Sequence, residues 1–374
     1  MTAPYRSDLA DLITKSLEHR LMVTAVPAAG PQFRVPVVSG SVALSEDWSP
    51  YQQVNFQCAV PDDLAQLDAL DGRTGCRLIT EAGYTLPDRT EDLQLLSDVM
   101  LTDRDVARPA DTMDLTGYSD ELRAQDRLIR VGSSALAGNG LEEIIAGLAN
   151  TAMDPGDASL VVDLPTANYK ASLVNGATAE AGDNFWSLME DLVTSAEARL
   201  YVDEYREWVL TVPAMAAGTP VHHLTVGADG TIITSTATLG RTGWYNDVVL
   251  DYQWKTAAGD DRRFIGRASV TGGALRVGAV GYRTFYQRRD TPTTQARANA
   301  TAKSMVRNLV TRGRGITLTA ISAYWLRPGD TITVTLPTGD TEAHIIKSVT
   351  FNFPAGTMTV ITRQPNNVTI TTGE

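Results

Sequence analysis

The 374-residue sequence predicts a mainly β chain with an inserted α+β portion, a small mixed α/β unit, and one late helix. Three observations predict it. Short runs of alternating apolar and polar residues, broken by Pro and Gly, fill both ends of the chain. Over about 136–212 the apolar spacing changes from two to three or four. The last sixty residues return to alternation, with Thr on one side of a strand and Ile332, Val334 and Leu336 on the other.

The elements follow in chain order. Leu9, Leu12 and Ile13 stand at helical spacing and open with a short helix. From His19 to Asp71 the alternation is punctuated by Pro27, Pro31, Gly40, Pro50 and Pro61, which predicts strands near 21–26, 34–38, 41–44 and 53–60. Strands are also expected near 76–80 and 93–102, and this spacing suggests a barrel or sandwich. Asn139 followed by Glu142 resembles a capping box, and Leu141, Ile144, Ile145 and Leu148 share a helical face over 140–152. Asp183 is expected to cap a second helix carrying Phe185, Leu188, Met189, Leu192 and Val193, ahead of a strand pair at 199–203 and 207–212.

Beyond His223, strands are expected at 247–254 and across 269–286, the latter broken at Gly272, Gly273, Gly278 and Gly281. Pro292 opens a helix to about 313, with Ala296, Ala300, Ala302, Val306, Leu309 and Val310 on one stripe. Leu326-Arg-Pro-Gly-Asp330 and Pro337-Thr-Gly-Asp340 are turns of a closing meander with strands at 331–336, 343–353 and 357–363. The polar tail 364–374 reads as an arm.

Composition narrows the function classes. The chain carries 32 basic and 44 acidic residues, a net charge of −12, with 43% hydrophobic residues, an ordinary globular balance. Asp8, Asp11 and Glu18 interrupt the first twenty residues, so no secretory signal is expected. The longest uncharged stretch, 208–228, contains Pro213, Gly218, Pro220, His222 and His223, and no membrane-spanning helix or membrane binding is expected. Cys58 and Cys76 lie in apparent strands of a chain without an export signal and read as free core thiols.

Chemistry-bearing motifs are missing. The sequence contains no H-E-x-x-H, C-x-x-C, G-x-S-x-G or G-K-[ST], and the fragments Gly138-Asn-Gly140 and Gly313-Arg-Gly315 suit helix boundaries. His222 and His223 are adjacent and point to opposite sides of a strand, while His19 and His344 sit at a strand start and in a strand. The carboxylate pairs Glu46/Asp47, Asp62/Asp63, Asp103/Asp105, Glu142/Glu143 and Asp260/Asp261 read as turns or helix starts, as does Asp154-Pro-Gly-Asp157. No catalytic residue, cofactor or metal is expected.

One asymmetry stands out. Between Arg262 and Arg314 there are twelve Lys or Arg and one acid, Asp290, so this stretch carries +11 and leaves −23 for the rest. Such a block faces a nucleic acid or an acidic protein surface. Trp244, Tyr245, Tyr252 and Trp254 beside it offer a stacking platform for single strands, but their strand-like alternation with Val248 and Leu250 suits core or subunit packing better.

The order of elements, carried by Val37-Val-Ser-Gly-Ser-Val-Ala-Leu-Ser-Glu-Asp47 with residues 51–61, Asn246-Asp-Val-Val-Leu-Asp-Tyr252, Thr294-Gln-Ala-Arg-Ala298 and above all Leu326-Arg-Pro-Gly-Asp330 through Met358-Thr-Val-Ile-Thr-Arg363, resembles the tail hub proteins of long-tailed bacteriophages. These are also called tail-associated or minor tail proteins and are related to the baseplate hubs of contractile tails. The resemblance covers about 20–363 and implies two barrel-like β hub domains, 1–135 and 213–374, around a small mixed α/β domain at 136–212. It further implies a homotrimeric ring at the virion tail tip, assembled in the host cytoplasm, that adapts a sixfold tail tube to threefold distal parts and closes or lines the channel. Its partners would be a distal tail protein, a tape measure protein and a tail fibre or spike protein, with DNA only in transit. Competing classes are a glycan-degrading or other hydrolase on a β scaffold and a nucleic-acid-binding module.

Within that reading Arg283, Arg288, Arg289, Arg297, Lys303, Arg307 and Arg314 are the candidate subunit-interface residues. Arg297, Lys303 and Arg307 fall mostly off the helix stripe, so the stripe is expected to pack inward and the basic side to face outward, toward acidic surfaces of a neighbouring copy or ring.

Overall fold

The computed structural model describes residues 9–13, 17–130, 134–136, 140–153, 156, 158–174, 178–179, 181–227, 230–255, 259–290, 292–336, 339–365 and 368–373. Strands dominate, joined by several small helices, and most strands belong to one large sheet.

The sheet is a path of antiparallel neighbours. It runs from Ile232–Leu239 through Arg314–Ile321, Thr357–Arg363 and Thr341–Phe353, then Val37–Ser45, Gln52–Ala59, Thr112–Tyr118, Glu91–Ala107, Arg77–Thr85 and Glu18–Val26 to Phe33–Arg34. Thr331–Thr335 branches from Thr341–Phe353 and pairs in parallel with His222–Thr225. The N-terminal and C-terminal halves of the chain join in this one ladder, with Val42 opposite Phe351. Among the described residues no pairing links the two ends of the path, so the strands form an open path in place of the expected barrel-like domains.

Period-two alternation explains why these segments are strands. In Gln52–Ala59 the residues Gln52, Val54, Phe56 and Cys58 are buried while Asn55, Gln57 and Ala59 are exposed. The inward residues of both halves fill one core, in which Val42, Val54, Phe56 and Leu78 meet Leu318, Val349, Phe351 and Val360. Tyr324 packs among Tyr84, Phe351 and Phe353 with ring centroids 5.3 to 5.7 Å apart. Each large apolar side chain buried here stabilises the fold by about 1.5–3 kcal/mol.

The middle unit has its own core. Helices Leu141–Met153 and Phe185–Ser195 cover a sheet in which Glu207–Thr211 lies between Arg199–Val202 and the parallel strand Ser159–Asp163. Leu141, Ile145, Met189, Leu192 and Trp208 are buried together. The second helix is capped by Asn184, whose Oδ1 accepts the Ser187 N–H at 2.6 Å; the expected cap, Asp183, stands one residue too early. Asn139 and most of Asp154-Pro-Gly-Asp157 lie outside the described residues, as do Pro337 and Thr338. Glu142 accepts the Asn168 N–H at 2.7 Å.

The third core lies under the late helix, Gln295–Val310. It packs on a four-stranded sheet ordered Thr284–Arg289, Asp247–Lys255, Asp261–Val270 and Ile370–Thr372. Close approach depends on Gly266, where a Cβ would lie 2.2 Å from the Ala298 carbonyl oxygen. The buried stripe is Ala298, Thr301, Ala302, Val306, Leu309 and Val310; Ala296 is exposed and Ala300 half-buried, so the expected stripe holds only in its second half. Thr294 caps the helix through its hydroxyl, later than Pro292 suggests.

Other segments also depart from the sequence reading. The region 271–283 is a loop with one helical turn, Val277–Val280, rather than broken strands, because its glycines leave too little side chain to pack. Helix Leu64–Ala69 interrupts the first β region, and the tail returns as Ile370–Thr372.

Polar contacts bind the middle unit to the large sheet. Glu121, 1% exposed, accepts the N–H groups of Tyr51 at 3.1 Å and Val202 at 2.9 Å through one carboxylate oxygen. Burial pushes this carboxyl above its usual range. Gln52 donates to the Val202 carbonyl at 3.0 Å.

Candidate functional site

Cross-strand partners share a sheet face, so the ladder registers define a surface that no single strand reveals. Opposite the main core, Thr234, Thr236 and Thr238 lie beside Thr319 and Thr317. Next come Thr357, Thr359 and Ile361, then Ser348, Thr350 and Asn352. Ser41 and Ala43 follow, then Gln53 and Asn55. At these positions the six strands hold hydroxyls, amides, Ala43 and Ile361 without a charge; the next residue on this side of Thr357–Arg363 is Arg363, buried and paired with Glu46. It is bounded by acids, since Asp105 stands directly opposite Asp114 and Asp103 opposite Thr116. Cations nearest this face lie at its rim, where Lys347 reaches Asp47 at 2.6 Å and Arg312 reaches it at 3.9 Å.

The basic block is placed elsewhere. Glu197, only 7% exposed, receives Lys303 at 3.0 Å, Lys170 at 3.6 Å and Arg307 at contact distance. Arg297 donates to the carbonyl oxygens of Leu173 and Val174. Arg289 pairs with Asp191 at 3.5 Å, and Arg283 lies 5.3 Å from the Tyr245 ring centroid. Burial pushes Asp191 up, against the pull of Arg289 and Arg297. Arg314 meets Glu342 at 2.6 Å, and Arg288 makes a 3.8 Å contact with Asp290, both side chains largely exposed. The side of the late helix expected to face outward therefore faces the middle unit of its own chain, because Glu197 projects to meet it.

The catalytic candidates are dispersed. Glu46 pairs with Arg363, and Asp63 caps Leu64–Ala69 by accepting the Ala65 N–H at 2.8 Å. Asp103 and Asp105 are exposed within Glu91–Ala107 rather than in a turn. His222 is buried edge-on to Trp325, and burial pushes its imidazole down to about 4; His223 is exposed and meets Thr333. His344 contacts Glu342 at 3.0 Å and Thr362 at 3.3 Å, and His19 the Tyr324 hydroxyl at 3.0 Å. Both cysteines are free and buried, their thiols pushed up to about 12 at Cys58 and about 11 at Cys76. Among the described residues no group of three or more His, Cys, Asp or Glu is placed to hold a metal ion.

Trp244 and Tyr252 are buried beneath the late helix, with Tyr245 and Trp254 packed against the same core, so these aromatics pack rather than present a stacking platform. The candidate surface that residue order alone does not reveal is the sheet face opposite the main core. Its signal was the Thr alternation in 317–321 and 357–361, which has no meaning until the strands are placed side by side.

The architecture is that of phage tail proteins. A tail protein from Neisseria meningitidis superposes with a TM-score of 0.64 at 13% identity, over 92% of this chain and 96% of its own. The 43 kDa tail protein of a Shewanella oneidensis prophage gives 0.62 at 12% identity, over 94% and 100%. A prophage tail protein from Listeria monocytogenes gives 0.51 at 11% identity, over 92% and 95%. No protein-family model matches the sequence, and no curated protein sequence matches it.

Proposed function

We propose that the chain is a structural, non-enzymatic protein of a phage tail or baseplate: a hub that forms a homotrimeric ring at the tail tip, with the uncharged face of the large sheet turned to the channel. The carrying observation is that face. A wall that must let DNA pass cannot hold it, because each Lys or Arg contact with phosphate adds salt-sensitive retention. The exposed positions of six adjacent strands carry no charge, the one cation on that side, Arg363, is buried against Glu46, and Asp103, Asp105 and Asp114 bound the face, which together meet that requirement.

The fold shared with solved tail proteins supports the same reading. The sequence resemblance adds the distal tail protein, the tape measure protein and a fibre or spike protein as partners, with assembly in the host cytoplasm. It also supplies the division into hub domains 1–135 and 213–374 around 136–212. Of the candidate interface cations, Arg289, Arg297, Lys303 and Arg307 have partners in the middle unit and act first by positioning it, while Arg283 lies over Tyr245 beside the third core. Arg288 and Arg314 are the more exposed and are the stronger candidates for contact between copies.

The test is the copy number of the chain in isolated tails, together with duplex DNA retention by the purified chain at low and moderate salt. Three copies and negligible retention are expected. One or two copies per tail overturns the ring, and salt-sensitive retention overturns the channel-wall assignment.

A further inference from the structure

Strand Ile232–Leu239 ends the large sheet. It pairs on one side with Arg314–Ile321, and its other edge has no ladder partner among the described residues. Its sequence, Ile-Ile-Thr-Ser-Thr-Ala-Thr-Leu, carries no charge and no proline, and every residue after Ile232 is exposed. Leu239 is 85% exposed and Ile233 57%. Natural sheets guard such edges with Lys, Pro, bulges or a covering element; here the one register shift lies between Ile232 and Thr234, at the start of the strand.

The opposite end of the same path is also free. Glu18–Val26 pairs with Phe33–Arg34 only at Thr24 and Ala25, which leaves the outer edge of 18–22 without a ladder partner among the described residues. Within the chain, its two halves are joined by pairing of one such edge with another, Val37–Ser45 against Thr341–Phe353. The main path of strands therefore already contains one edge-to-edge junction and ends in two further edges.

We infer that strand Ile232–Leu239 of one copy pairs with the 18–22 edge of a second copy, head to tail, continuing the ladder from copy to copy. The contact joins two different surfaces, so it is heterologous and closes into a ring when the rotation between copies permits. Main-chain hydrogen bonds supply the attraction, and Ile233 and Leu239 lose their exposure. This rests on the hub reading above and names the surfaces by which copies meet.

The test combines Thr236→Cys in turn with Arg20→Cys, Leu21→Cys and Met22→Cys in the full chain, assembled under the conditions in which the parent forms rings; the native thiols are buried. Oxidation should link copies covalently in at least one pairing and in no single-cysteine variant. Separately, Ser235→Lys with Ala237→Lys should lower ring formation at least tenfold at matched concentration, with an unchanged urea midpoint. Normal rings from the lysine variant and no cross-link in any pairing, with a parent that assembles, overturn this inference and leave the hub reading standing. A parent that forms no ring even on tail tubes overturns both.

Discussion

The open face of the large sheet and the helix Gln295–Val310 treat charge in opposite ways. On the sheet face, adjacent strands place hydroxyls and amides side by side and leave no exposed charge across six strands, the one cation there, Arg363, being buried against Glu46. On the helix, cations are frequent, yet Arg297, Lys303 and Arg307 turn toward carbonyl oxygens and Glu197 of the same chain. Charge density along a sequence is therefore a poor guide to charge at a surface, because Coulomb attraction selects partners by distance in the fold. Four cations of the +11 segment tie the late helix and its sheet to the middle unit, while the least charged strands form the most extensive candidate working surface.

The largest effect that sharpens this contrast lies in the core beneath the open face. Phe351→Ala should cost about 4 kcal/mol in urea unfolding, since it deletes a fully buried ring among Tyr324 and Val42 neighbours.

Next comes His222, 7% exposed, with its imidazole pushed from the ordinary 6.5 down to about 4. The folded chain binds this proton less readily than the unfolded one. Its contribution is thus present above about pH 6.5 and is lost as pH falls toward 4, amounting to about 3 kcal/mol over that window. His222→Phe should flatten that part of a stability-versus-pH curve; an unchanged slope would count against the buried neutral imidazole.

Glu197→Gln removes the charge shared by Lys170, Lys303 and Arg307. The cations are about one-third exposed, so the expected loss is about 2 kcal/mol, below the 3–5 of a fully buried pair. Hydrogen exchange should localise the loosening to the junction of the middle unit with the late helix. Protection unchanged at that junction would break the comparison on its charged side.

The smallest stability effect is expected on the open face. Thr317→Lys with Thr357→Lys, two positions that are not cross-strand partners, should change unfolding free energy by under about 0.5 kcal/mol per site. The same change should steepen the salt dependence of DNA binding by roughly 2 in log–log slope. A large loss of stability would mean that this face is packed rather than open.

Much of this architecture was legible in residue order. The buried alternation of Gln52–Ala59, the helical face of Leu141–Met153 and the closing meander each satisfy a local period, and local periods survive tertiary packing. Thr112–Tyr118 carries the same signal in Met113 and Leu115, a strand beyond those expected from the sequence. Ile232–Leu239 had no buried alternation to find, because an edge strand exposed on both faces obeys none.

The candidate site was less legible. The stripe of the late helix came out shifted in its first half because Gly266 lets the helix approach at Ala298, a contact absent from helical periodicity. The alternation of Thr317 with Thr319 and of Thr357 with Thr359 is written in each strand, but the uncharged face exists only because those strands are neighbours in register. By itself the sequence determined which segments are strands and which of their residues seek a core, because burial preference and period are local. Only the tertiary structure decided that both halves of the chain share one sheet, that part of the basic block meets Glu197, and that the Thr faces align, because ladder register and Coulomb attraction depend on which distant residues are brought within a few ångströms.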